Sequence, residues 1–135
     1  MKPQILLVDD NPREAELAML AFREQGYGDA IRAVRGVAEA LQAVAAALPK
    51  LVLLDLKLAG ASGLELLARL KSDARTQAVP VVVMTTSREP RDIAESYRLG
   101  ANGYVVKPVD FERFRDVARR LCDYWLGLNE IPQES

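Results

Sequence analysis

The chain has 135 residues, 50% of them hydrophobic, with 18 Lys+Arg against 19 Asp+Glu and a net charge of −1. That suits one compact domain with a substantial core, and it provides neither the field nor the basic clusters that draw a protein to nucleic acid or anionic lipid. His is absent and Cys122 stands alone, so Ser-His and Cys-His relays, an internal disulfide and a cysteine zinc cage are excluded; a bound metal must be held mostly by oxygen, as magnesium, manganese or calcium are.

The first apolar run, Ile5–Val8, is too short for a signal peptide, and no run approaches the length of a membrane span. The expectation is therefore a cytoplasmic location with no membrane partner. Val-, Leu- and Ile-rich runs near 4–9, 30–35, 50–56, 80–86 and 103–107 read as strands. Between them the spacing is helical. Asn11-Pro12-Arg13-Glu14 opens the first helix, with Asn as cap, Pro at the first helical position and Glu three residues after the cap. Ala15, Met19 and Phe22 mark its buried stripe, and Gly26 and Gly28 punctuate its end. Val37, Leu41, Val44 and Leu48 form a second stripe stopped by Pro49, and Leu64, Leu67 and Leu70 a third. Ile93, Ala94 and Tyr97 suggest a shorter fourth ending at Gly100, and Phe111, Phe114, Val117 and Leu121 a long fifth. The segment 129–135 reads as a loosely ordered polar tail after a domain over 1–128.

Strands alternating with helices predict an α/β fold: a five-stranded parallel sheet in the order 2-1-3-4-5, helices on both faces, doubly wound like flavodoxin. The runs at 51–54 and 81–84 are apolar at every position, as strands covered on both faces must be. The strands' carboxyl ends then share one edge, where ligands bind. Asp9-Asp10, Asp55, Thr85-Thr86 and Lys107-Pro108 follow four of the apolar runs.

Singly, these residues are weak signals. An acidic pair ahead of a helix favours its positive end, but Asn11 already fills the cap, and two adjacent carboxylates are better explained by a divalent cation between them. Asp55 after Leu51–Leu54 would cost several kcal/mol if buried and unpaired. Thr85 alone is an ordinary strand end, and Lys107 alone a snorkelling lysine. Pro108 raises the frequency of a cis peptide bond. Together they form a site suited to a hard cation and a phosphoryl group.

The chain resembles the receiver domains of two-component response regulators over residues 4 to 127. Asp9-Asp10, Asp55, Thr85, Tyr104 and Lys107-Pro108 stand where that family has them, and Gly60 and Gly63 match the loop after the acceptor. The resemblance implies that Asp55 accepts a phosphoryl group from a partner sensor histidine kinase. It also implies that Asp10, Asp55 and the backbone carbonyl of Lys57 bind magnesium, with Asp9 acting largely through water. Met84–Ser87, Ser96–Asn102 and Tyr124–Leu126 before Ile131-Pro132 resemble stand-alone receivers that serve phytochrome-type and related kinases. Two departures are Ala59, where proline is usual, and Lys57, where Asn or an acidic residue is common.

Charge then suggests roles. Lys107 neutralises a phosphoryl oxygen, Thr85 moves to bond another, and Tyr104 turns into the space left. Such a chain is a phosphoacceptor that assists its own phosphorylation and dephosphorylation rather than a conventional enzyme. Its output is expected through a protein target. Tyr124, Trp125, Leu126 and Leu128 exceed one helix stripe, and either pack on the core or form a homodimer interface. A pseudo-receiver that binds partners without phosphorylation is the competing reading.

Overall fold

Strands without polar alternation need cover on both sides, and the computed structural model, which describes residues 4–58 and 60–132, shows where that cover comes from. Strands β1 (Ile5–Val8), β2 (Ile31–Val34), β3 (Leu51–Leu54), β4 (Val81–Thr85) and β5 (Gly103–Val106) form one sheet in the order β2-β1-β3-β4-β5. Every pairing in it is parallel, so the expected fold and strand order are met. A separate antiparallel ribbon, Lys57–Leu58 against Ala61–Ser62, closes the loop after β3.

Successive side chains on each strand go to opposite faces. Ile5, Leu7, Leu51, Leu53, Val82 and Met84 pack with Phe22 of α1 (Pro12–Phe22) and Phe114 and Leu121 of α5 (Phe111–Leu121). Leu6, Val8, Val52, Leu54, Val81 and Val83 pack with Val44 of α2 (Val37–Ala46) and Leu66, Leu67 and Leu70 of α3 (Gly63–Ser72). β3 and β4 are buried throughout, whereas on edge strand β2 Arg32 and Ala33 are exposed.

Several boundaries differ from expectation. α2 ends at Ala46 rather than running to Pro49; proline disfavours helical backbone at its predecessor, and Leu48 reaches the core from the loop instead. After Phe22 the backbone widens into a π-type turn, Arg23–Tyr27, broken by Gly26 at φ 87°. A similar stretch, Cys122–Leu128, extends α5. On α4 (Pro90–Arg98) the stripe is shifted: Ser96 is fully buried, while Ala94 and Tyr97 are exposed. Ser96 can sit there because its hydroxyl donates to the Asp92 carbonyl at 2.7 Å. All described peptide bonds are trans, so the cis bond that Pro108 makes more frequent is not formed.

One lysine ties loops at the amino end of β4. Lys71 Nζ donates to the carbonyls of Gln77 (3.1 Å) and Val79 (2.8 Å) and to Asn102 Oδ1 (2.9 Å). The same Asn102 oxygen accepts the Val81 N–H at 2.9 Å. Burial holds the Lys71 ammonium below its ordinary pKa. Among the described residues no helix is long and apolar enough to cross a membrane. Ala59 and the end of the expected tail, 133–135, lie outside the described residues.

Candidate functional site

Parallel register brings the strand ends level. Val8 is opposite Leu54, Leu54 opposite Val83, and Thr85 opposite Val106. Asp9, Asp55 and Lys107 are each the next residue along, and Thr85 ends its own strand. The structure therefore gathers at one edge the residues that the sequence placed on four separate runs.

Lys107 lies at the centre. Its Nζ donates to Asp9 Oδ2 at 2.9 Å, to Asp55 Oδ2 at 2.8 Å and to Glu14 Oε1. Asp9 and Lys107 are buried, with side chains 2% and 6% exposed. Asp9 Oδ1 also accepts the Asn11 N–H at 2.9 Å, and Asp55 Oδ1 accepts the Lys57 N–H at 3.3 Å. The sequence marks Glu14 only as a capping residue; its place on the first turn of α1, one turn beyond the acidic pair, is the signal that brings it here. Asp10 is partly buried, and its carbonyl accepts from Arg35 Nη2 at 3.4 Å. The carboxylates that converge are Asp9, Glu14 and Asp55, with one oxygen of each within 4.8 Å of the others.

Burial pushes the Asp9 carboxyl above its ordinary pKa, against the pull of hydrogen bonds from Lys107 and the Asn11 N–H. Burial alone would lower Lys107, but its bonds to Asp55, Asp9 and Glu14 outweigh that and hold it above the ordinary value. The first shift argues against the ion pair and the second for it. An ammonium enclosed by three carboxylates is better stabilised than any one of them, so the charged lysine is the firm conclusion.

Gly63 sets the height of Asp55. A Cβ on Gly63 would lie 2.1 Å from the Asp55 carbonyl oxygen and 2.9 Å from Leu56 Cα. Its N–H donates to the Leu56 carbonyl at 2.8 Å. The loop can thus fold back on Asp55 only without a side chain there. Gly60 makes the preceding turn at φ 68°.

Thr85 is buried, 1% exposed, and its carbonyl accepts the Lys107 N–H at 2.8 Å. Tyr104 stands opposite Val83 on β5, and its hydroxyl donates to the Ser87 carbonyl at 3.0 Å. Burial raises the Tyr104 pKa. Ser87 Oγ in turn donates to Asp92 Oδ2 on α4. Tyr104, the loop after β4 and α4 are therefore joined in one hydrogen-bonded chain. Oxygen donors from carboxylates and carbonyls suit a hard divalent cation, so the residues present fit magnesium.

Residues 5–119 match the family model described as the response regulator receiver domain. The chain is 38% identical over 134 residues to the probable methanogenesis regulatory protein FilR2 of Methanothrix harundinacea, covering 95% of this chain and 86% of that protein. It is 36% identical to the DNA-binding response regulator MtrA of Mycolicibacterium smegmatis, but spans only 45% of its length. Among solved structures, the phosphorylated cyanobacterial phytochrome response regulator RcpA superposes with a TM-score of 0.88 at 31% identity, over 98% of this chain and all (100%) of RcpA. The Mn(2+)-bound response regulator Rcp1 gives 0.82 at 25% identity, over 97% of this chain and 100% of Rcp1. Register, site and family model agree: the chain belongs to the response regulator receiver family.

Proposed function

We propose that this chain is a phosphoacceptor whose Asp55 takes a phosphoryl group from a sensor histidine kinase and whose output is a protein contact. The observation that carries the reading is the placement of Asp55 at the carboxyl edge of β3, with its carboxylate held between Lys107 Nζ at 2.8 Å and the Lys57 N–H at 3.3 Å. An Asp55 oxygen attacks phosphorus in line. The P–N bond of the phosphohistidine breaks, and its electron pair stays on the imidazole nitrogen. No base on this chain is needed, so the absence of His is no obstacle. Lys107 supplies positive charge to a phosphoryl oxygen and limits repulsion between the two anions.

Asp10, Asp55 and the Lys57 carbonyl are the proposed magnesium ligands, with Asp9 acting through water. When bound, the cation would offset repulsion between carboxylates and phosphoryl oxygens. The Mn(2+) bound to Rcp1 supports a divalent cation in this class of site.

The proposed switch runs through Thr85 and Tyr104. Thr85 hydroxyl bonds the phosphoryl group, and Tyr104 leaves Ser87 to turn inward. Carrying populations from 1:99 to 99:1 requires about 5.5 kcal/mol of differential stabilisation. The likeness to the phytochrome response regulator RcpA supports a phytochrome-like kinase as partner, and the cytoplasm is the proposed place of work. A homodimer through the C-terminal segment is supported by exposed Tyr124 and Leu128, beside a T-shaped Tyr124–Trp125 pair with centroids 4.8 Å apart. Truncation before Tyr124 should then give a monomer by sedimentation.

The deciding experiment is incubation with acetyl phosphate and magnesium, followed by intact mass. The wild type should gain one phosphoryl group and Asp55→Asn none. A wild type that gains nothing would favour a pseudo-receiver that binds partners unphosphorylated.

A further inference from the structure

Every proton of the Lys107 ammonium is committed. Nζ donates to Asp9, Asp55 and Glu14, and an ammonium has three donors. Lys107 can bond a phosphoryl oxygen only by giving up one of these acceptors.

The three are not equivalent. Asp9 is anchored at both oxygens, by Lys107 and by the Asn11 N–H. Asp55 carries the incoming group and stays beside the ammonium. Glu14 has the most exposed side chain of the three, at 37% against 2% and 11%. Its other oxygen is held only by a 3.4 Å contact from Asn11 Nδ2. Released from Lys107, it passes directly into water, whereas either aspartate would be left desolvated.

The helix start explains why Glu14 is available. In a capping box the acidic side chain at this position reaches back to the N–H of the cap residue. Here that N–H is taken by Asp9 Oδ1, so the Glu14 carboxylate is turned to Lys107. The Asn11 side chain still caps the helix, accepting the N–H groups of Arg13 at 3.0 Å and Glu14 at 3.1 Å.

We propose that Glu14 is a positioning residue that latches Lys107 in the resting site, and that uptake of the phosphoryl group requires this bond to open. The inference rests on Asp55 being the acceptor. It also makes the first turn of α1 a responder, because the group released from Lys107 is built into that turn.

Two variants separate a latch from a charge effect. Glu14→Met keeps the length and removes both the charge and the acceptor oxygen; Glu14→Asp keeps the charge but is one methylene shorter. Both should take up phosphoryl groups from acetyl phosphate and magnesium about two- to fivefold faster than wild type, the range expected for loss of a partly exposed ion pair. Acceleration in Glu14→Met alone means simple charge repulsion and overturns the latch. Wild-type or slower rates in both variants, with unchanged circular dichroism melting, also overturn it. A second readout needs neither metal nor phosphate: in metal-free protein the Lys107 ammonium nitrogen resonance should be protected from solvent exchange in wild type and lose protection in both variants. Retained protection overturns the latch even if the rates change. A wild type that takes up no phosphoryl group overturns the function proposed above, and the exchange measurement still decides whether Glu14 holds Lys107.

Discussion

Replacing Gly63 by alanine tests how tightly Asp55, the proposed acceptor, is positioned. The new Cβ would stand 2.1 Å from the Asp55 carbonyl oxygen, 2.9 Å from Leu56 Cα and 3.0 Å from the Asp55 carbonyl carbon. Ordinary contact with such atoms begins about 1 Å further out than the shortest of these distances. All three neighbours are backbone, so no rotamer change relieves the clash. Either α3 retreats or the Asp55 backbone moves, and the 2.8 Å bond from Gly63 N–H to the Leu56 carbonyl is stretched in both cases. Overpacking of this kind costs about 1–3 kcal/mol. A displacement of about 1 Å at a reacting group costs on the order of 100-fold in rate. Phosphorylation by acetyl phosphate, followed by intact mass over time, should therefore slow by about that factor while the urea midpoint drops. Gly60→Ala is the control: its φ is 68° but nothing lies within 4 Å of the added carbon, so strain of about 1 kcal/mol should appear with little loss of rate. Gly63→Ala protein that keeps both the wild-type rate and the wild-type midpoint refutes the argument.

Other outcomes follow from the same contacts. Lys107→Met leaves Asp9, Asp55 and Glu14 facing an apolar tip, and stability should fall by about 3–5 kcal/mol; an unchanged urea midpoint contradicts the buried ion cluster. Thr85→Ala should accept the phosphoryl group yet respond weakly to it, which partner binding before and after phosphorylation measures; a normal response removes Thr85 from the switch. Burial, with a smaller push from Asp123, raises the Cys122 thiol to about 12. The native state then holds this proton above the ordinary 9.0. The associated stability is fully present below that pH and is lost as pH rises through about 12. Iodoacetamide near pH 8 should leave native Cys122 unmodified and alkylate it rapidly in denaturant; fast native alkylation contradicts its burial.

Strand identity and order were readable because Leu51–Leu54 and Val81–Met84 carry no polar alternation, and a parallel sheet buried on both faces is the simplest home for them. The edge was readable because parallel strands align their ends, so residues far apart in sequence needed only the same offset. What stayed hidden depends on side-chain reach between elements. Glu14 satisfies a local capping pattern, and nothing local shows that Asp9 has already taken the N–H it would bond. On α4, Ser96 looked polar and Tyr97 apolar, yet a hydroxyl that bonds back to its own helix is cheaply buried, and a tyrosine keeps a polar end in water. The π-type widenings after Phe22 and Leu121 have no apolar period of their own.

β4 is secured unequally along its length. At Val81 the Asn102 side chain and the Lys71 ammonium bind it to two neighbouring loops. At the other end Thr85 gives way to Ser87, whose carbonyl holds Tyr104 and whose hydroxyl reaches Asp92. The strand between them is paired with β3 over Val81–Val83 and with β5 over Val82–Thr85, so it is a stiff beam with a hinge beyond its carboxyl end. If Thr85 moves as proposed, the compliant part is the short span from Thr85 to the start of α4, and the surface would receive the movement as a reorientation of that helix.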